Sequence, residues 1–280
     1  MSIQTSVTTL ANGVKMPWLG LGVYQAEKGE EVKNAVLTAL QAGYRSIDTA
    51  SFYDNEESVG EAIQESGVPR DELFITTKLW NNEHGFDEAL EAFERSRKKL
   101  GVDVVDLYLI HWPVPGKFKE TWGALEKLYK DGKVRAIGVS NFTDQHLEEL
   151  LKTAEITPMV NQVEFHPRLF QKALLEYCQS HDIQLEGWRP LGKGDLLEHD
   201  AVKEIAEKHG KTPAQVLIRW ALQNKVVSIP KSVTADRIRS NAEVFDFELD
   251  TKDMDTINGM NENARYGLHP DEFDYASTTK

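Results

Sequence analysis

Cysteine is nearly missing from this chain: Cys178 is the only one in 280 residues. A single cysteine excludes an internal disulfide and a thiolate metal cluster. Long apolar runs are missing too. None approaches the roughly 18 residues that a membrane-crossing helix needs, and no basic-then-apolar leader opens the chain, so a cytoplasmic protein with no membrane partner is expected. Positive charge is in deficit, with 32 Lys and Arg against 45 Asp and Glu and a net charge of −13. Such a balance argues against nucleic acid or an anionic membrane as a general partner, and any anionic ligand must be held by a local group of cations. The eight histidines never fall at His-x-x-x-His spacing, so no metal is expected. Asn141-Phe142-Thr143 has the form of a glycosylation sequon, but a cytoplasmic protein never meets that machinery.

What is present is regular alternation. Short runs rich in Val, Ile and Leu lie at 18–23, 44–47, 73–77, 104–110, 134–139, 159–163, 183–185 and 226–229. Helical periodicity fills 30–42, 56–65, 86–99, 119–130, 145–153, 171–179, 201–208 and 213–223. Strands alternating with helices imply βαβ units and a parallel sheet, and eight such units suggest closure into a barrel. Asn12-Gly13 between two apolar stretches marks a hairpin ahead of the first barrel strand, placed to plug the bottom. The tail after Asn261 is polar, broken by Gly and Pro, and reads as a loop over the opposite face. The expected fold is therefore an α/β (β/α)8 TIM barrel of one domain over 1–280, with no linker to divide it, acting as a monomer. Cys178 falls among Leu174 and Leu175 in a helical pattern and reads as core filler.

Three consecutive strands end in ionisable residues: Asp48, Lys78 and His111. In a parallel barrel the C-terminal strand ends converge on the face that carries chemistry. Tyr53 follows Asp48 by five positions. A tyrosine hydroxyl has a pKa near about 10, too high for ready proton exchange at neutral pH, and a nearby ammonium is expected to lower it. A carboxylate would keep that ammonium charged when buried. Tyr53 then serves as proton donor to a carbonyl oxygen, with Lys78 and Asp48 tuning it and His111 orienting the same oxygen. Lys78 as a Schiff-base lysine is the competing assignment, opposed by Asp48.

The Gly43–Gly60 block, Lys78, Ile110-His111-Trp112-Pro113, Gly138-Val139-Ser140-Asn141-Phe142 and Ile229-Pro230-Lys231-Ser232 carry a resemblance. The chain is similar to the aldo-keto reductases from Leu10 to about Asn263, close to the bacterial branch containing 2,5-diketogluconate and glyoxal reductases. The resemblance implies NADPH-dependent reduction of aldehydes or ketones, with NADP(H) preferred over NAD(H) and Asp48, Tyr53, Lys78 and His111 as the catalytic set. The alternative is a barrel that binds NADP(H) to regulate, without significant turnover. Lys231 and Arg237 match ligands of the 2′-phosphate, and Asn241 an adenine contact. Ser140, Asn141 and Gln162 match residues holding the carboxamide, and Trp188 the ring that stacks on nicotinamide. Gly22, Leu191, Ser232, Val233 and Thr234 complete the implied cofactor set. Two positions depart from the family pattern. Arg189 stands where most relatives have Ser against the pyrophosphate, and Ser240 where many have Glu beside the adenine. Tyr24, Trp80 and Trp112 follow three strands on the same face and suit the walls of a carbonyl pocket, with Tyr266, Leu268 and His269 of the tail as its last wall.

Overall fold

Eight parallel strands stand in sequence order in the computed structural model, which describes residues 2–273 and 275. They are β3 (Gly20–Gly22), β4 (Ser46–Asp48), β5 (Phe74–Leu79), β6 (Val105–Ile110), β7 (Val134–Ser140), β8 (Val160–Glu164), β9 (Gln184–Trp188) and β10 (Val227–Ser228). Parallel bridges from Leu19 to Ser228 and from Gly22 to Lys231 bring the two edges together, so the sheet is a nearly closed barrel. Every residue of β5 and β6 is buried, as expected of strands covered on both faces.

The helices between them are α1 (Glu30–Gln41), α2 (Glu56–Glu65), α3 (Phe86–Leu100), α4 (Phe118–Lys130), α5 (Asp144–Leu151) and α6 (Lys172–Ser180). After β9 come α7 (Asp200–His209) and α8 (Pro213–Gln223). Thr212 caps α8 through the amide of Gln215, and Pro213 takes the first turn, where its missing N–H costs nothing. After β10 come α9 (Ala235–Asn241) and α10 (Thr251–Asn258). α10 has no counterpart among the helices expected from the periodicity. Its signal is local: Asp250 accepts from the Asp253 amide at the helix start, and Ile257 is buried one turn on.

The hairpin, β1 (Val7–Thr9) and β2 (Lys15–Pro17), is antiparallel. Thr8 Oγ1 donates to Gln184 at the start of β9, and Asn12 Nδ2 to the carbonyl of Arg135 at the start of β7. Those are N-terminal strand ends, so the hairpin closes the bottom. Cys178 is fully buried, and burial pushes its thiol up to about 12, which leaves it inert. Among the described residues no helix is long and apolar enough to cross a membrane.

The helix ring packs tightly enough to demand one glycine. A methyl group on Gly60 in α2 would lie 2.6 Å from the backbone oxygen of Leu100 at the end of α3. Gly60→Ala is expected to destabilise the protein by about 1–3 kcal/mol through overpacking. A lower urea midpoint at unchanged slope would report it, and an unaltered midpoint would mean that α2 and α3 can separate freely.

Candidate active site

Register puts the ionisable strand ends side by side. Asp48 lies beside Gly22 on one side and Thr76 on the other, while Lys78 lies beside Leu109 of β6. Side chains alternate along a strand, so Thr76 and Lys78 share the inward face with Asp48. Tyr53 ends a short 3-10 turn, Ser51–Tyr53, that follows β4. The turn is pinned by Asn55, whose amide nitrogen donates to the carbonyls of Val23 and Ala26 while its oxygen accepts from Thr49. His111 follows the last residue of β6 directly.

Lys78 is 0 % exposed. Its ammonium donates to Asp48 Oδ1 at 2.7 Å, to the carbonyl of Thr49 at 2.9 Å and to Tyr53 Oη at 3.2 Å. All three protons of the ammonium therefore have acceptors. Burial alone would lower the Lys78 pKa, but Asp48 and Tyr53 outweigh it and the net direction is up. A lysine so held does not lose its proton, and this removes the Schiff-base reading.

Tyr53 departs from expectation. The ammonium does pull its hydroxyl down, but desolvation is the larger effect, and the hydroxyl is pushed up to about 12. Tyr53 keeps partial exposure overall, so the desolvation acts on the hydroxyl end, among Lys78, Asp48 and His111. The favourable charge of Lys78 can be anticipated from strand ends, whereas the loss of water around the hydroxyl exists only once the barrel has closed over it. The phenol is consequently protonated throughout the neutral range. His111, 7 % exposed, is held well below the ordinary imidazole range by burial first and by Lys78 second. Its Nδ1 is buried without a hydrogen-bond partner among the described residues. A neutral imidazole can donate one hydrogen bond without adding a second buried cation.

The aromatic residues gather above this centre. The ring of Tyr24 lies 5.0 Å from that of Tyr53. Trp80 stacks on Phe52 at 3.8 Å and meets His111 edge-on at 4.9 Å. Trp112 stacks on Phe273 at 4.5 Å. Phe52 and Phe273 join the wall beyond the expected residues: Phe52 stands in plain view next to Tyr53, whereas Phe273 lies in a tail with no periodicity to read. The tail wall expected from Tyr266, Leu268 and His269 is different in the structure. The Tyr266 hydroxyl donates to Asp195 and meets Arg168, and Leu268 is 60 % exposed. His269 caps the next turn by accepting from the Asp271 amide. The tail is instead anchored by Glu164, whose carboxylate accepts from the amides of Tyr266 and Gly267 and sets Gly267 against Trp188.

A second group of residues lies on the same face. Trp188 Nε1 donates to Asn141 Oδ1, and Asn141 Nδ2 donates to the His111 carbonyl and to Ser140 Oγ. Asn141 adopts φ +62°, a left-handed conformation that asparagine tolerates. Ser140 donates to the Gln162 carbonyl. Gln162 does not present a free amide: its Nε2 donates to Asp48 at 2.7 Å and to Glu186 at 2.8 Å, leaving only its side-chain oxygen for a ligand. Gly22 fits through close approach, because a Cβ there would lie 3.0 Å from the Ile229 carbonyl.

Lys231 and Thr234 before α9 and Arg237 in its first turn are exposed, Ser232 and Val233 half-buried, Asn241 at its end buried, and Leu191 after β9 half-buried. Among the described residues no ion pair engages Lys231 or Arg237, in a chain where most cations are paired. Arg189 takes φ +54°, a strained choice for arginine. Its guanidinium lies 5.3 Å from the centroid of the Trp188 ring, and its Nη1 is buried without a partner among the described residues. An aromatic platform, two unpaired cations and an orphaned guanidinium nitrogen fit an anionic ligand that carries a flat ring. Among the described residues no group of three or more His, Cys, Asp or Glu is arranged to hold a metal ion.

Comparison with known proteins gives the same picture. Residues 18–262 match the family described as Aldo/keto reductase family. The chain is 60 % identical to the glyoxal reductase of Bacillus subtilis, covering 94 % of this chain and 95 % of that one. It is 46 % identical to the methylglyoxal reductase DkgA of Escherichia coli, covering 96 % and 98 %. Among solved structures, an aldo-keto reductase from a Medee basin deep-sea metagenome library superposes with TM-score 0.93 at 48 % identity, covering 96 % and 100 %. A mutant of Gox0644 in complex with NADPH superposes with TM-score 0.92 at 46 % identity, covering 96 % and 98 %.

The electrostatics predict a silent histidine. The His111 ring resonances are expected to stay flat between about pH 5 and 8, where an ordinary histidine titrates. A midpoint inside that window in a pH series of NMR spectra would show that the imidazole takes up a proton despite Lys78.

Proposed function

The chain belongs to the Aldo/keto reductase family, and from that we propose that it reduces small aldehydes and ketones, α-dicarbonyls foremost, to alcohols with NADPH. The observation that carries this reading is the contact of Tyr53 Oη with a fully buried, carboxylate-held Lys78. The names of the relatives, a glyoxal and a methylglyoxal reductase, support the substrate class. The ring of Phe52, Trp80 and Trp112 supports it too, since aromatic walls favour a small carbonyl compound and exclude water.

NADPH, when bound, supplies the hydride that the carbonyl carbon takes up. The protein's part concerns the oxygen. As negative charge grows there, Tyr53 gives its phenolic proton, and the Lys78 ammonium stabilises the phenolate left behind. A phenol with pKa about 12 is always loaded at neutral pH, and it is acidic enough for an oxygen becoming an alkoxide. Water then restores the proton. Neutral His111 donates a hydrogen bond to the same oxygen and orients it. Asp48 keeps Lys78 charged, and so holds the ammonium at the hydroxyl.

For the cofactor, Lys231 and Arg237 are the candidates for the 2′-phosphate, with Ser232, Val233, Thr234 and Asn241 around it. Trp188 with Ser140 and Asn141 suits the nicotinamide end, and Arg189 suits the pyrophosphate. The exposed Lys231 and Arg237, the orphaned Arg189 Nη1 and a net charge of −13 over the whole chain support this assignment. One barrel domain with a continuous core, working as a monomer in the cytoplasm, is in keeping with the acidic, disulfide-free chain.

Two variants test the reading. Tyr53→Phe is expected to lower methylglyoxal turnover by roughly 10²-fold or more, the range general acid catalysis supplies, while NADPH still quenches the protein's fluorescence. Near-normal turnover in that variant would sink the mechanism. Arg237→Ala is expected to weaken NADPH by about 10- to 150-fold and NADH hardly at all, since only NADPH carries the extra phosphate. Equal weakening in equilibrium titrations would show that Arg237 binds something other than that phosphate.

A further inference from the structure

We propose that Glu186 is a positioning residue for the reduction: through the Gln162 amide it holds Asp48 in place beneath Lys78, and a proton on Glu186 keeps that arrangement intact. The proposal rests on the roles given above to Tyr53 and Lys78. Glu186 is fully buried in the middle of β9, away from the strand end, and nothing in the carbonyl chemistry calls for it.

The geometry joins it to the centre. Gln162 Nε2 has two hydrogens, and donates to Asp48 Oδ2 at 2.7 Å and to Glu186 Oε2 at 2.8 Å. β4 and β8 are four strands apart in the sheet, so the bond from Gln162 to Asp48 runs across the barrel interior. Glu186 thus accepts one hydrogen of the amide nitrogen whose second hydrogen goes to the carboxylate that holds Lys78. The remaining Asp48 oxygen is the one that meets the ammonium. A rotation of the amide would free Asp48 Oδ2, and Asp48 could then turn away from Nζ.

Charge counting requires the proton. Two carboxyl groups, Asp48 and Glu186, act on one cation, Lys78, while Glu164, two residues on from Gln162 along β8, spends its carboxylate on His166 and on the amides of Tyr266 and Gly267. Tyr53 and His111 are neutral, and the strands next to β9 contribute Gln162 and Val227 beside Glu186, neither of which titrates. Two anions against one cation in a fully buried setting is unfavourable, so one carboxyl keeps its proton. Asp48 has the ammonium at contact distance, so the proton falls to Glu186. Burial, with Asp48 adding to it, pushes the Glu186 carboxyl up to about 8. Glu186 Oε1 is buried without an acceptor or donor among the described residues, as are Ser46 Oγ and Thr76 Oγ1 on the strands of Asp48 and Lys78. As pH rises through about 8, ionised Glu186 competes with Asp48 for Lys78 and makes Tyr53 a poorer acid. Reduction should fall over that range.

The test measures kcat and KM for methylglyoxal at saturating NADPH across pH, for the wild type, Glu186→Leu and Glu186→Gln. Wild-type kcat is expected to fall as pH passes about 8. Glu186→Leu should lose about tenfold in kcat at neutral pH, as for one buried hydrogen bond, with KM moving less than about twofold. Glu186→Gln should recover most of that loss, because its carbonyl still accepts from Gln162, and should lack the alkaline fall. An unchanged fall in Glu186→Gln, or wild-type kcat in Glu186→Leu, overturns the proposal. Infrared difference spectra of the full cofactor-free chain give a second measurement without turnover. A protonated carboxyl band that Glu186→Gln abolishes should vanish from the wild type near about pH 8, and its absence at neutral pH overturns the proposal. That measurement can fail while Tyr53→Phe still behaves as expected, so the two readings are separable.

Discussion

The buried ammonium of Lys78 is the constraint on which the rest of this structure depends. A lone charge in the core costs several kcal/mol or more, and removing the partner of a buried pair typically costs about 3–5 kcal/mol. Lys78 is tolerable only because Asp48, Thr49 and Tyr53 each accept one of its hydrogens. Those three acceptors come from β4 and the segment after it, whereas Lys78 is on β5. The register of that strand pair and the turn pinned by Asn55 must therefore be correct before the charge can be accommodated. The second Asp48 oxygen accepts from Gln162, whose amide nitrogen also reaches Glu186 on the far side of the barrel.

The two ends of the barrel use buried carboxylates differently. Asp106, on β6, is fully buried near the N-terminal strand ends. It accepts from Arg70, from Arg135 and from the amide of Ile75, so all its needs are met by protein and it closes the bottom. Asp48, at the C-terminal end of β4, shares its cation with a tyrosine that keeps partial exposure. Full satisfaction belongs to stability and a shared, partly open network to chemistry, in line with the general division of labour between the faces of such barrels. Glu164 stands between these cases: against burial, His166 first and then the amides of Tyr266 and Gly267 hold its carboxyl below the usual range, and those amides tie the C-terminal tail to the active face.

Much of the fold is legible in one sequence because the period of apolar residues changes from two to 3.6 eight times over. The hairpin is legible because Asn-Gly has few other uses between apolar strands. The helix α10 escapes that rhythm, although Asp250 and Ile257 carry its signal, because it follows the last barrel strand and breaks the one-strand, one-helix alternation. In the site, Asp48, Lys78 and His111 can be read from strand ends alone, since a parallel barrel makes those ends converge. Phe273 and Glu186 cannot. Phe273 depends on where an aperiodic tail folds back, and Glu186 resembles any polar residue in a strand until its neighbour across the barrel is known.

By itself the sequence determined the eight strand–helix alternations, the ionisable residues at or next to three strand ends, and that a chain of net charge −13 must gather cations locally to hold an anion. These follow from local spacing and composition, which no folding step alters. Only the tertiary structure decided how the charges act on one another. The Tyr53 hydroxyl goes up rather than down, Gln162 spends its amide on two carboxyl groups, and Arg189 stacks on Trp188 with one nitrogen unpaired. The physical reason is common to the first two, while Arg189 meets its chain neighbour Trp188 at a φ of +54°. Desolvation and partner competition depend on distances across the barrel, between residues up to 114 positions apart in the chain, and no local pattern encodes those distances.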